Sequence, residues 1–364
     1  MLTARYGEDG EISDYLGSGG IKRSYALSGS DAFTEFAGDA FTVPAYDSYI
    51  VRLTDAMGNV SEYEVLVHNH AYRDGADSVD YLPLTVTAGE LNSGHYFLNG
   101  DVTLTDTVTI PAGETVVLCL NGCTLTLGDE LAVRGTLILC DCAAGGVIAA
   151  PSGASLTVER GGVLEMYEGS LTADAEMVVD GGTFRLYGGT IDGRTIGLRT
   201  ELTVQDGEVY LYGGTIGREI TLYSGELYLS GTPKINRGIS IEAVGYAIVH
   251  AAADGAPYTG DTVDIDYTIL QDAEEGADIV LGLSDSNRDR FDVTLRDDSD
   301  GIFQAENDGD RISLGYRSFT VRYVGADGSV LYATTAEYGS PAPEYSGDTP
   351  GKDADADYTY TFSG

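Results

Sequence analysis

The sequence contains no tryptophan and only 9 prolines, 4 cysteines, 4 methionines and 4 histidines among its 364 residues. So little proline beside 49 glycines excludes collagen-like and proline-rich linker architectures. Cations are also scarce: 20 Lys and Arg stand against 58 Asp and Glu, a net charge of −38. A phosphate backbone is held by cations that displace its counterions, so this chain repels a polyanion and nucleic acid is excluded as a general partner. No run approaches the ~18 apolar residues of a membrane helix, and no charged, apolar and small-residue succession marks a signal peptide. The chain opens on Met1-Leu2-Thr3-Ala4-Arg5 and ends on Thr361-Phe362-Ser363-Gly364, which reads as a segment of something longer. Any export signal or anchor is then expected outside it.

With 43% hydrophobic and 21% charged residues, the chain has the composition of a folded protein despite its acidity. Abundant glycine among Val, Leu, Ile, Thr and Tyr predicts many short strands joined by tight turns. Four segments repeat: Gly162-Val163-Leu164-Glu165-Met166-Tyr167-Glu168-Gly169, Gly182-Thr183-Phe184-Arg185-Leu186-Tyr187-Gly188-Gly189, Gly207-Glu208-Val209-Tyr210-Leu211-Tyr212-Gly213-Gly214 and Gly225-Glu226-Leu227-Tyr228-Leu229-Ser230-Gly231. Their first glycines are spaced by 20, 25 and 18 residues, and a weaker copy, Gly135-Thr136-Leu137-Ile138-Leu139, precedes them. A strand-and-turn unit of this length is one coil of a β-solenoid. Variable coil length favours a right-handed parallel β-helix over a strictly periodic hexapeptide helix.

Alternation within each copy separates two faces. Leu164, Phe184, Val209 and Leu227 form one inward column, and Met166, Leu186, Leu211 and Leu229 the next. Glu165, Arg185, Tyr210 and Tyr228 then face outward, beside Tyr167, Tyr187, Tyr212 and Ser230. Coils ~4.8 Å apart would stack these tyrosines into a stripe. The expected fold is all-β: a right-handed parallel β-helix over 76–250, flanked by a β module at 1–75, a β-rich cap or appended module at 251–316 and a further small module at 317–364.

Tyr167, Arg185, Tyr187, Tyr210, Tyr212 and Tyr228 are the candidate ligand surface, because aromatic faces cover sugar rings while hydroxyls, acids and Arg185 hydrogen-bond their hydroxyls. Cross-strand stacking that merely stabilises the ladder is the plainer reading of each tyrosine. A glycan, or a host or bacterial surface protein, is the expected partner. The alternative is catalysis on polysaccharide, which needs converging carboxylates. Asp192, Asp206, Glu208 and Glu226 are the candidates, with Arg194 or Arg218 to stabilise the developing charge of a lyase reaction. The ordered Asn-Thr-Asp, Asp-Asp and His-Gly series of polygalacturonases is absent.

The four cysteines, Cys119, Cys123, Cys140 and Cys142, lack the paired knuckles of a zinc site. Cys119 and Cys140 are one coil apart and could neighbour each other in a disulfide, although four cysteines allow three connectivities. His68, His70, His95 and His250 are remote from them in sequence, and no thiol–imidazole motif is present. No cofactor is implied beyond Ca²⁺, a hard cation that the acidic turns could bind, although Asp298-x-Asp300-Gly301 is only a fragment of an EF-type loop without its distal Glu. Lys22, Lys234 and Lys352, the only lysines, occupy no evident core position from which to form an isopeptide crosslink.

Three resemblances follow. The segment from Tyr49 to Val65, with Thr54-Asp55-Ala56-Met57-Gly58-Asn59 at its turn, resembles the last hairpin of bacterial immunoglobulin-like modules. Phe319-Thr320-Val321-Arg322-Tyr323, Asp327-Gly328-Ser329-Val330-Leu331, Tyr338-Gly339 and Tyr358-Thr359-Tyr360-Thr361-Phe362-Ser363-Gly364 resemble the internalin B-repeat β-grasp module, without the Trp that usually follows its final Gly. Leu118-Cys119-Leu120-Asn121-Gly122 and Leu137-Ile138-Leu139-Cys140-Asp141-Cys142 resemble early coils of a β-helix family on Gram-positive surface proteins. Together they imply a secreted or cell-surface stalk or adhesin of Gram-positive type.

Overall fold

A computed structural model of the chain describes residues 2–3, 21–37, 40–41, 47–55, 57–67, 81–173, 177–192, 202–242, 246–269, 273–298, 300–325, 327–349 and 351. They fall into two compact units, Met1–Tyr81 and Leu82–Gly364. In the first, Thr34–Phe36, Lys22–Leu27, Asp47–Thr54 and Val60–Val67 form an antiparallel sheet in that order. Its last hairpin turns where the sequence predicts. The Asp55 carboxylate accepts the Met57 and Asn59 backbone N–H groups, both at 2.8 Å, and the Asn59 side-chain amide at 2.7 Å.

In the second unit the alternating segments wind into coils. A coil contributes one strand to each of three sheets, of seven, ten and twelve strands. Thus Ser170–Ala173, Met177–Asp180 and Thr183–Leu186 form one coil; Thr190–Asp192, Leu202–Gln205 and Gly207–Leu211 form the next. Every strand of one coil pairs in parallel with its counterpart in the following coil. Seven coils run from Val102–Leu104 to Ala247–His250, which makes this unit a parallel β-helix. Short strands Leu82–Pro83, Gly89–Glu90 and Gly94–Phe97 precede the first coil.

The period of two decides what lies inside. On the twelve-stranded sheet, Val116, Leu137, Leu164, Phe184, Val209, Leu227 and Val249 are successive register partners, and all are buried. Met166, Leu186, Leu211 and Leu229 form the adjoining buried column. Both expected core ladders are therefore present. Each fully covered apolar side chain contributes about 1.5–3 kcal/mol relative to exposure.

The corners explain the glycines. Gly181 turns the chain from the ten- to the twelve-stranded sheet at φ 69°, and Asp206 takes the equivalent place one coil later at φ 52°. Asp is among the few residues that tolerate this left-handed conformation. At the next such corner Gly225 has φ 98°, and a Cβ there would lie 2.3 Å from the Gly207 carbonyl oxygen of the rung below. Only glycine fits.

Beyond the seventh coil, Val263–Thr268 and Phe291–Arg296 extend the ten-stranded sheet in parallel, and Asp278–Leu281 extends the twelve-stranded one. The polarity then reverses: Arg311–Tyr316 pairs antiparallel with Asp278–Leu281, and Phe303–Asn307 antiparallel with it. Asn287, fully buried, ties this end together, donating to the Ala251 carbonyl at 2.8 Å and accepting the Ser284 N–H at 2.7 Å. Ser318–Val324 and Val330–Glu337 form a separate two-stranded hairpin.

Phe184→Ala, at a position with no solvent exposure, is expected to lower the unfolding free energy by about 3–5 kcal/mol. The exposed turn substitution Glu168→Gln should stay within about 0.5 kcal/mol. Urea unfolding curves for the two variants check the inward assignment directly.

Candidate functional site: the outer tyrosine face

The same register that buries the aliphatic columns sets the outward ones. Glu165, Arg185, Tyr210, Tyr228 and His250 are consecutive partners on the outer face of the twelve-stranded sheet. Tyr167, Tyr187 and Tyr212 follow Met166, Leu186 and Leu211 by one residue and stand beside them. The rings stack in parallel. Tyr167 and Tyr187 have centroids 4.6 Å apart, Tyr187 and Tyr212 5.0 Å, Tyr210 and Tyr228 4.5 Å, and Tyr228 and His250 4.2 Å, with interplanar angles of 13° or less. Tyr210 and Tyr212, 6.2 Å apart, join the two stacks, and the Arg185 guanidinium lies 5.4 Å from the Tyr210 ring centre. The spacing is the rung spacing, so aromatic contact here follows from strand pairing.

The hydroxyls are anchored as well. Tyr167 donates to Glu165 at 3.2 Å and Tyr210 to Glu208 at 3.1 Å, each two residues back on its own strand. Tyr228 makes the same bond to Glu226. Tyr212 donates at 2.5 Å to Asp254, whose hairpin, Ala252–Ala253 paired with Ala256–Pro257, borders the face. Arg185 pairs with Glu165 at 3.4 Å. Burial and the adjoining Glu208 push the Tyr210 phenol up to about 12. Burial, followed by the hydrogen bond to Asp254 or Glu226, raises Tyr212 and Tyr228 as well. His250 Nε2 is buried 3.3 Å from Glu226, and burial lowers its pKa against the pull of that carboxylate.

All six expected contact residues, Tyr167, Arg185, Tyr187, Tyr210, Tyr212 and Tyr228, thus lie on one half-exposed surface. Their ring faces, however, largely cover one another, and what is presented outward is ring edges, hydroxyls and carboxylates. Ser230, expected to face solvent, is instead buried at 5% exposure, because Gly231 bonds to Pro257 of the hairpin and closes over it. His250 and Asp254 were missed. Continuing the alternation from Val249 would have placed His250 on Tyr228, whereas the Tyr212–Asp254 contact spans 42 residues and has no local signal. Val117 and Ile138 occupy the outward column of Glu165, yet both are buried.

Of the four candidate acids, Glu208 and Glu226 are register partners on adjacent rungs. Asp206 sits at the corner beside them, ion-paired with Arg160 at 2.6 Å. Asp192 lies on the seven-stranded sheet, where its backbone carbonyl accepts from the buried Arg218 at 3.0 Å and its charge acts on that guanidinium. Burial lowers the Arg218 pKa and Asp192 raises it. The structure thus brings two of the four together and gives Asp206 and Asp192 architectural surroundings. Arg194, His68, His70 and Lys352 lie outside the described residues. His95 is half-buried on the strand before the first coil, and Lys22 and Lys234 are exposed.

Asp298 spends its carboxylate on the backbone N–H groups of Ile302 and Phe303, and among the described residues no group of three or more His, Cys, Asp or Glu is arranged to hold a cation. None of the four cysteines is joined in a disulfide in this structure. Cys119 and Cys140 are register partners as expected, but Cys119 Sγ also lies 3.3 Å from Cys142 Sγ. Among the described residues no helix is long and apolar enough to cross a membrane.

No protein-family model matches this chain, and no curated protein matches it. Among solved structures it is similar to pectate lyase Pel3 from Pectobacterium carotovorum, at 10% identity and a TM-score of 0.23 over 84% of this chain and 89% of that one. At that score the likeness carries no argument about chemistry, and the β-helix stands on its own strand order.

The raised phenols give a signed pH dependence. As pH rises through about 10, unfolded tyrosines release their protons while Tyr210 retains its own until about 12. Its contribution to stability is complete below about pH 10 and is lost as pH climbs through that window. Tyr210→Phe is expected to reduce the fall of Tm across it and to remove one late phenolate from the ultraviolet alkaline titration.

Proposed function

We propose that the chain is a non-catalytic extracellular scaffold or adhesin whose solenoid carries a glycan or a surface protein along the outer tyrosine face. The observation that carries this reading is the ladder itself: five tyrosines and His250, stacked and half-exposed, with carboxylates fixing the hydroxyls of Tyr167, Tyr210, Tyr212 and Tyr228. Stacked rings lose little freedom when a ligand arrives, so contacts made along them carry a small ordering cost. Because the ring faces are mostly covered, the contact is edge-on and polar, made by phenol oxygens and carboxylate acceptors to ligand hydroxyls or amides. The net charge of −38 and the row of acids disfavour anionic polysaccharides and favour neutral or amino-bearing ligands.

The wider assignment, a Gram-positive surface stalk with an immunoglobulin-like module before the solenoid and an internalin-type β-grasp module after it, rests on the motifs at Thr54–Asn59 and Phe319–Gly339. Paired strands at both places support it.

The test is a glycan array probed with the whole chain and with Tyr187→Ala and Tyr212→Ala. Each substitution is expected to weaken binding about tenfold while leaving the fold intact. Binding that ignores both substitutions removes the tyrosine face as the contact. Release of reducing or unsaturated sugar products from a polysaccharide panel, abolished by Glu208→Gln or Glu226→Gln, replaces this reading with a carbohydrate-active enzyme.

A further inference from the structure

We propose that Cys119 and Cys142 are the site of a disulfide that staples the turn after Thr136–Cys140 to the preceding coil, immediately before the tyrosine ladder begins. Cys119 ends the strand Thr115–Cys119 and is buried, while Cys142 is exposed in the turn one coil later. Their sulfurs are 3.3 Å apart against ~2.05 Å in a disulfide, and the exposed Cys142 is the side chain with room to rotate.

The turn is held in place for this. Asp141, itself buried, accepts the backbone N–H groups of Gly122 and Gly146, both at 2.7 Å, which locks the turns of two successive coils together. Asn121, left-handed at φ 52°, donates to the Leu98 carbonyl at 3.0 Å, and its side-chain oxygen receives the Cys142 thiol at 3.5 Å. Cys142 is therefore poised above Cys119 by a hydrogen-bonded frame and not by chance of a free loop.

The other two thiols are less accessible. Cys123 Sγ is directed at the backbone carbonyls of Leu98 and Asn121, at 3.8 and 3.5 Å. Cys140, Cys119's register partner, also hydrogen-bonds Cys119 and lies 3.7 Å from the Leu118 carbonyl, but it is fully buried where Cys142 is exposed. An oxidant arriving from solvent meets Cys142 first.

The co-reactant is a small-molecule disulfide such as oxidised glutathione. The Cys142 thiolate attacks one of its sulfurs, breaking that S–S bond and releasing one thiolate, to give a mixed disulfide. The Cys119 thiolate then attacks Cys142 Sγ and expels the second. Two protein thiols are oxidised, one disulfide is reduced to two thiols, and the two protons pass to the leaving sulfurs. Hydrogen bonding to Cys119 and burial raise the thiol pKa values of both Cys142 and Cys140, so closure is slow at neutral pH and quickens as pH rises.

The experiment incubates the whole chain with oxidised glutathione, alkylates the remaining thiols and maps peptides without reduction. Cleavage after Arg134 separates Cys119 and Cys123 from Cys140 and Cys142, so any bridge between coils appears as a crosslinked peptide pair. The expected result is one such pair, two alkylated thiols, and a Tm several degrees higher that returns on reduction. The crosslink should survive Cys140→Ser and vanish in Cys142→Ser, an exposed substitution that leaves the core untouched. Four alkylated thiols after oxidation, or a crosslink that persists in Cys142→Ser, overturns the proposal.

Discussion

In-register parallel hydrogen bonding between successive coils is the constraint on which the rest of the molecule depends. A slip of one residue would exchange inward and outward side chains along a whole strand, so the aliphatic columns and the register enforce each other. Phe184 meets Leu164 and Val209 because their strands pair, and Arg185 meets Glu165 and Tyr210 for the same reason. Differences in coil length are taken up at the corners, leaving strand pairing undisturbed. The corners in turn depend on residues that accept a left-handed backbone, which is why glycine recurs there and why Asp206 can substitute for it.

What a coil does to its own residues was legible in the sequence. The alternation in Thr183–Leu186 and Gly207–Leu211, each followed by a tyrosine, specifies both the buried columns and the tyrosine stripe. What one coil does to a distant segment was not. Ser230 has the same local pattern as Tyr187 and Tyr212, and only the hairpin that follows Ala251 covers it. Arg218, a candidate by its sequence for stabilising the charge of a lyase reaction, is instead buried beside Asp192. The burial of Val117 and Ile138 is hinted at only by their being apolar where later coils carry Glu165 and Arg185.

The acids illustrate how a chain of this charge distributes repulsion. Glu165 is spent on Tyr167 and Arg185, Glu208 and Glu226 on their own tyrosines, Asp206 on a corner and Arg160, and Asp141 on two backbone amides. These carboxylates are fixed by donors from their own rung or an adjacent one, except Asp206, whose partner Arg160 lies two coils back. The outer face is consequently a set of oriented acceptors on a stiff aromatic backing, a surface suited to recognition through shape and hydrogen bonding.

The reversal of polarity at Arg311–Tyr316 bears on how such a rod behaves among its own kind. A stack of parallel rungs is a template for more of the same, and two rods meeting end to end could fuse into a filament. At the C-terminal end of the twelve-stranded sheet Arg311–Tyr316 runs back against Asp278–Leu281 and the edge strand Phe303–Asn307 returns to the direction of the coils, so the sheet closes on an antiparallel hairpin in place of a further coil. On that sheet a second rod would meet the edge of a hairpin and not a strand of a coil.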